Sequence, residues 1–261
     1  MNVYCVQFES AWKNKRLNFK KIRSILTNYE IEKKSLIILP EMFATGFCLD
    51  STYTLKDEPV KTEEFISDLA KEKDSWIIGG MCHPSKKSGF AYNTAVTFDP
   101  AGKRISLYNK INLIPSLGET NVHISGSNLE HITVGSFNIT PLICYDLRFP
   151  ELFRKSILEG TNLFVILGCW PKSRIKHWTT LLQARAIENQ SFVIGVNRIG
   201  HDKDLAYGGR TMIISPQGEI LADGEENISV VHAKISKAEV LDWREEFPVV
   251  QEYINNSKEK N

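Results

Sequence analysis

Three side chains in this 261-residue sequence have types and placements suited to chemistry: Cys144, Glu41 and Lys110. Cys144 follows the apolar run Phe137 to Ile143 (FNITPLI) and precedes Tyr145-Asp146-Leu147-Arg148-Phe149-Pro150-Glu151, which reads as a strand-to-helix junction. Pro150 is tolerated in a first helical turn, and Asp146 and Glu151 carry the negative charge favoured there, so a helix is expected just after the thiol. Free backbone N–H groups at such a junction can lower a thiol pKa and receive charge developing on a substrate oxygen. Free cysteine is also among the most buried residue types, so packing alone would account for it on the bare sequence. Glu41 ends Leu36-Ile37-Ile38-Leu39-Pro40-Glu41, at the C-terminal end of a buried strand, where open α/β sheets gather ligands. A carboxylate removed from water there is a stronger base. Lys110 lies in Tyr108-Asn109-Lys110-Ile111-Asn112-Leu113, an ammonium among apolar neighbours after the strand Ile105-Ser106-Leu107. Taken singly, each charge also reads as a solvated strand end.

A thiol with a pKa near 8.5 needs a base or a positive neighbour to act as a nucleophile. The histidines at 83, 123, 131, 177, 201 and 232 occupy no familiar cysteine-protease context. Zinc finds little support, because Cys82-His83 and Cys169 with His177 lack paired CxxC or HExxH spacing, and no phosphate-binding glycine loop occurs. We expect no metal and no cofactor.

The chain is 42% hydrophobic with a formal net charge of +1, which suits one sizeable core and gives no electrostatic case for nucleic acid or a membrane surface as partner. No run approaches the roughly 18 apolar residues of a membrane span. Five cysteines (Cys5, Cys48, Cys82, Cys144, Cys169) without regular spacing, and no leader pattern, point to a reduced, cytoplasmic protein acting on a small molecule.

The elements that must position these groups alternate. Helical spacing occurs at Leu17, Ile22, Ile25, Leu26 and Tyr29, at Phe65, Ile66, Leu69 and Ala70, and at Trp178, Leu181, Leu182, Arg185 and Ala186. Buried-strand runs fall at 36–39, 76–78, 95–98, 163–167, 192–196 and 211–214. An α/β protein follows. Its halves resemble each other: Trp76 to Gly79 (WIIG) matches Phe192 to Gly195 (FVIG), and Asp99-Pro100-Ala101-Gly102 matches Ser215-Pro216-Gln217-Gly218 at the same offset. Both Pro-x-Gly segments read as tight turns between antiparallel strands. We therefore expect one domain over 1–261 with two related sheets packed together and helices outside, and a tail from about 254 that is flexible or forms an interface.

The segments LPEMF, YNKINL and LICYDLRFPE, in that order among these strands, closely resemble the nitrilase (carbon-nitrogen hydrolase) superfamily from roughly Val3 to Tyr253. The resemblance implies a four-layer α-β-β-α sandwich with two mixed sheets, commonly paired as a homodimer. It implies a Glu-Lys-Cys triad: Glu41 as general base, Lys110 beside the oxyanion, Cys144 as nucleophile, with the Tyr145 backbone N–H completing the oxyanion hole. Glu119, nine residues after the lysine, falls where the family has a second carboxylate that orients the lysine or relays protons.

Cys-Tyr-Asp looks like the amidase branch, and the stretches Trp170 to Trp178, Leu182 to Gln190 and Val196 to Gly200 are similar to bacterial omega-amidases, which act on 2-oxoglutaramate and 2-oxosuccinamate. Such substrates end in a carboxylate, which an arginine fork binds well. The expected contacts are Arg174 and Arg198, with Phe43 and Trp170 as apolar walls. Deaminated glutathione amidase and a broader aliphatic amidase are the competing activities, and a dimeric interaction module the non-enzymatic one. Two positions depart from the pattern: Asn112, where relatives often have His, and Arg210, where Ser is common.

Overall fold

The protein is described by a computed structural model covering residues 1–55, 60–202 and 205–258. The first half supplies β1 (Asn2–Gln7), α1 (Lys15–Thr27), β2 (Leu36–Ile38), the short α2 (Ser51–Thr54), α3 (Val60–Lys73), β3 (Trp76–Pro84), β4 (Ala91–Phe98) and β5 (Arg104–Asn109). The second supplies β6 (Ile132–Val134), β7 (Phe137–Ile143), α4 (Pro150–Leu158), β8 (Leu163–Gly168), α5 (Ile175–Asn189), β9 (Phe192–Asn197), the hairpin β10 (Ile199–Asp202) and β11 (Leu205–Gly208), β12 (Met212–Ile214) and β13 (Ile220–Asp223). The chain then returns as β14 (Ser229–Lys234), α6 (Lys237–Glu246) and α7 (Val249–Lys258). Residues 254–258 of the expected tail thus continue α7, and the rest of it lies outside the described residues.

Two six-stranded mixed sheets result, ordered β14-β1-β2-β3-β4-β5 and β13-β12-β9-β8-β7-β6. Strand alternation divides the side chains of the first sheet. Val3, Cys5, Leu36 and Ile38 face the other sheet in one core, while Tyr4, Val6 and Ile37 pack with Ile22 and Leu26 of α1 and Ile66 and Leu69 of α3. On the far side, Trp178, Leu182 and Ala186 of α5 are buried together with Ile194 and Ile213. The layers are therefore helix, sheet, sheet, helix, as expected.

The internal likeness is a matching register. Gly79 pairs with Val96 and Gly195 with Met212 at the same chain separation. Gly102 N–H then donates to Asp99 O at 2.8 Å, and Gly218 N–H to Ser215 O at 2.9 Å. Both hairpins carry an irregularity one residue before the turn, at Thr97/Phe98 and Ile213/Ile214. At Pro141, strand β7 has passed the end of its pairing with β6 at Ile139, a place where a missing N–H is tolerated.

Candidate active site

Cys144 sits where β7 ends. It opens a 3-10 turn, Cys144–Arg148, before α4 begins with Pro150 at its first position, so the expected helix start is displaced by one tight turn. Its φ is +46°, a left-handed conformation costing a non-glycine residue about 1–2 kcal/mol. Such a bend turns the side chain away from the strand direction at the sheet's C-terminal edge. Tyr145 follows within the first turn, whose N–H groups lack intrahelical acceptors.

Glu41 follows β2, in the loop facing β7 and β8. Gly80 of β3 packs on it so closely that a Cβ there would stand 2.6 Å from the Glu41 Cα. The carboxylate is fully buried and hydrogen-bonded at both oxygens. Oε2 accepts the Cys169 N–H at 2.7 Å, and Oε1 accepts Asn93 Nδ2 at 2.7 Å and Lys110 Nζ at 3.2 Å. Lys110, just past β5, also reaches Glu119 Oε1 and Oε2 at 3.0 and 2.9 Å. Asn93 bridges both carboxylates, its Nδ2 lying 3.0 Å from Glu119 Oε1, while its backbone carbonyl accepts the Lys110 backbone N–H at 2.8 Å. Glu119 Oε2 takes the Ile114 N–H at 2.8 Å, and His123 Nδ1 lies 3.5 Å from Oε1.

One ammonium thus stands between two carboxylates in a space without water-exposed surface. Burial alone would depress the Lys110 pKa, but the charges on Glu41 and Glu119 override it and raise the value, so the side chain stays an ammonium. For Glu119, burial pushes up and Lys110, with hydrogen bonds from His123 and Asn93, pulls the carboxyl well below its ordinary range. Cys144 goes opposite to expectation. Burial first, then the Glu41 charge, raises its pKa well above the ordinary thiol value, against the lowering pull of Lys110 and the Cys169 N–H. A thiol so placed favours its neutral form, and a neutral thiol needs a base to act as a nucleophile.

Cys144 opens into a cavity of about 320 Å3 lined by Ile114, Ser116, Tyr145, Arg148, Trp170, Pro171 and Arg174. Trp170 and Arg174 are therefore brought to the thiol, the Trp170 Nε1–H holding the Arg174 carbonyl at 2.8 Å. Phe43 is not. Met42 takes φ +44°, and Phe43 is buried on the outer face of the first sheet against Phe19 and Phe65. Arg198 is not either: its buried guanidinium is paired with Asp202, donates to the Ser10 carbonyl at 3.0 Å and stacks 4.4 Å from the Tyr207 ring. Neither the apolar wall nor the second carboxylate contact expected at these two positions is in place. Arg210 is spent on Asp223, 2.5 Å away.

Residues that the sequence left unmarked also converge here. Asn93 is a lone amide in the β-branched run of β4. Arg148 lies over the Trp170 ring at 4.6 Å, and its pKa is lowered by burial and by the neighbouring Arg174 charge, so two cations share the cavity. Asp146 is fully buried with four donors, described below. A larger cavity of about 420 Å3, lined by Trp12, Phe47, Leu117 and Tyr207 among others, contains none of the four ionisable groups of the cluster.

Known proteins resemble this chain over most of its length. The family described as carbon-nitrogen hydrolase matches residues 3–245. A 2-oxoglutaramate amidase of Bacillus subtilis is 34% identical, covering 95% of this chain and 95% of its own, and one from Paenarthrobacter nicotinovorans is 37% identical over 85% of this chain and 79% of its own. A CN-hydrolase superfamily protein from Xanthomonas campestris, XC1258, superposes with a TM-score of 0.88 at 27% identity, covering 97% of this chain and 96% of its own. With a buried Glu-Lys-Glu cluster behind a cavity thiol, a double-sheet sandwich, and a family match over nearly its whole length, the chain belongs to the carbon-nitrogen hydrolase family, within the nitrilase superfamily.

Proposed function

We propose that the protein hydrolyses the terminal carboxamide of a short 2-oxo dicarboxylic acid ω-amide, such as 2-oxoglutaramate or 2-oxosuccinamate, through a thioester on Cys144. The observation that carries this reading is the cavity itself: a thiol at one end, Lys110 and two carboxylates behind it, and Arg148 and Arg174 on its wall. Its volume lies at the small end of the roughly 300–1,000 Å3 range of ligand sites, which suits a short substrate better than deaminated glutathione. Amide hydrolysis is supported by the activities named for the relatives.

In the proposed sequence Glu41 takes the Cys144 proton and the thiolate adds to the amide carbonyl carbon. Lys110 and the Tyr145 N–H hold the resulting oxyanion. The tetrahedral adduct expels the amide nitrogen, which receives the proton from Glu41 and leaves as ammonia. A water then gives a proton to Glu41 and its oxygen to the thioester carbon. Breaking the carbon–sulfur bond releases the acid, and Cys144 regains its proton. Glu119 keeps Lys110 charged and placed. A reducing compartment, supported by five cysteines of which none forms a disulfide among the described residues, and a homodimer, implied by the family resemblance, belong to the same proposal.

The test is ammonia release by wild type and Cys144→Ala on 2-oxoglutaramate, 2-oxosuccinamate, deaminated glutathione, simple aliphatic amides and an N-carbamoyl amine. We expect Cys144-dependent turnover highest on the two keto-acid amides. Turnover confined to another compound would replace the substrate, and turnover retained by Cys144→Ala would overturn the mechanism.

A further inference from the structure

Asp146 lies two residues beyond Cys144 and is completely buried. Its Oδ2 accepts the Tyr108 hydroxyl at 2.7 Å and the Ile143 N–H at 3.1 Å. Its Oδ1 accepts the Asn112 backbone N–H at 2.9 Å and the Asn112 Nδ2 at 3.0 Å. Tyr108 and Asn112 stand two residues before and two after Lys110, and Ile143 immediately precedes Cys144. Tyr108 belongs to one sheet and Ile143 to the other, so the carboxylate joins the strand end that delivers the ammonium to the strand end that delivers the thiol and the Tyr145 N–H.

We infer that Asp146 is a positioning residue that fixes the two donors of the oxyanion hole, Lys110 and the Tyr145 N–H, relative to each other, with Tyr108 and Asn112 as its anchors. This rests on the proposed role of Cys144 and goes beyond it. A carboxylate has about four lone-pair sites, and four donors fill them here, so no acceptor is left over for a substrate or a proton in transit. Burial raises the Asp146 pKa above the ordinary carboxylate value, while Lys110, the Tyr108 hydroxyl and the Asn112 and Ile143 backbone N–H groups pull against it; the acceptor role rests on the four hydrogen bonds themselves. The arrangement also gives Asn112 a function: its side chain supplies the fourth donor.

The test uses Asn112→Ala and Tyr108→Phe, each deleting one donor without touching the cavity lining. A misplacement approaching 1 Å costs up to about 10²-fold in rate, so kcat on the best substrate should fall between roughly tenfold and 10²-fold, with KM within about twofold. Alkylation of Cys144 by iodoacetamide displaces iodide at a saturated carbon and forms no oxyanion, so its rate should stay within about twofold of wild type. Asn112→His, which restores an N–H donor, should recover much of the turnover. Unchanged kcat in both variants would overturn the inference. So would a parallel fall of kcat, alkylation rate and melting temperature, which would indicate general loosening of the fold. Failure of the underlying reading looks different: Cys144→Ala would then keep wild-type turnover.

Discussion

Glu41 and Cys169 hold each other at two points: the Cys169 N–H donates to Glu41 Oε2 at 2.7 Å, and the Cys169 thiol to the Glu41 carbonyl oxygen at 3.2 Å. The first contact sets the carboxylate and is made by backbone, so it survives any side-chain change. Cys169→Ala should retain turnover within roughly tenfold, the value of one net hydrogen bond. Glu41→Gln should lose about 10²–10⁴-fold in kcat, because an amide accepts no proton. Steady-state ammonia release checks both, and equal losses in the two variants would dismiss Glu41 as the base.

Lys110 pairs with two buried carboxylates and has the oxyanion role in the proposed mechanism, and its removal should show both. Loss of one oxyanion donor costs about 2.7–4 kcal/mol of transition-state stabilisation. Leaving Glu41 and Glu119 buried without their ammonium should also destabilise the fold by about 3–5 kcal/mol. Lys110→Ala should therefore be crippled and should melt earlier, as followed by circular dichroism. A variant that unfolds at the wild-type temperature would contradict the charge arrangement.

Glu119 makes stability depend on pH. Its carboxyl pKa is lowered in the folded protein to about 2 and is about 4.3 in an unfolded chain, so between these values the unfolded state binds more protons. Its contribution is complete above about pH 4.3 and is lost as pH falls toward 2. Glu119→Gln should flatten the acid limb of urea midpoints measured from pH 6 downward, and an unchanged limb would show that Glu119 is not held ionised by Lys110.

The three arginines should separate by readout. Arg174→Ala and Arg148→Ala should raise KM for keto-acid amides by about tenfold or more, since hydrogen bonds to charged groups are worth about 1.5–3 kcal/mol. Arg198→Ala should instead lower the melting temperature, because it leaves the buried Asp202 unpaired. Kinetics and thermal melts on the same preparations decide, and a selective KM effect from Arg198→Ala would return it to the substrate site.

How much of this was readable beforehand depended on whether the signal was local. The strand 36–39 and the two Pro-x-Gly turns carry their own periodicity and turn chemistry, and they occur where expected. Phe43 was misread because the backbone reverses at Met42, a left-handed residue that no side-chain pattern marks. Arg198 lies off the cavity because it is held between Asp202, four residues on, and the carbonyl of Ser10, 188 residues away in the chain, and the distant contact leaves no local sequence signal. No local pattern in the sequence marks Asn93, whose side chain the fold brings to two carboxylates. The thiol pKa was expected low from helix-end N–H groups, whereas depth of burial and a neighbouring anion decide it.

The groups of the proposed mechanism, with the Cys169 N–H that holds Glu41, are divided between the sheets. Glu41 and Lys110 extend from strands of the first, and Cys144 and Cys169 from strands of the second. Neither sheet, however well formed, contains both the proposed nucleophile and its proposed base. A partly folded chain with its sheets apart would therefore lack the turnover proposed for the folded protein. During refolding, the return of turnover would time the closure of the inter-sheet core itself, whereas far-UV ellipticity would register the earlier formation of each layer.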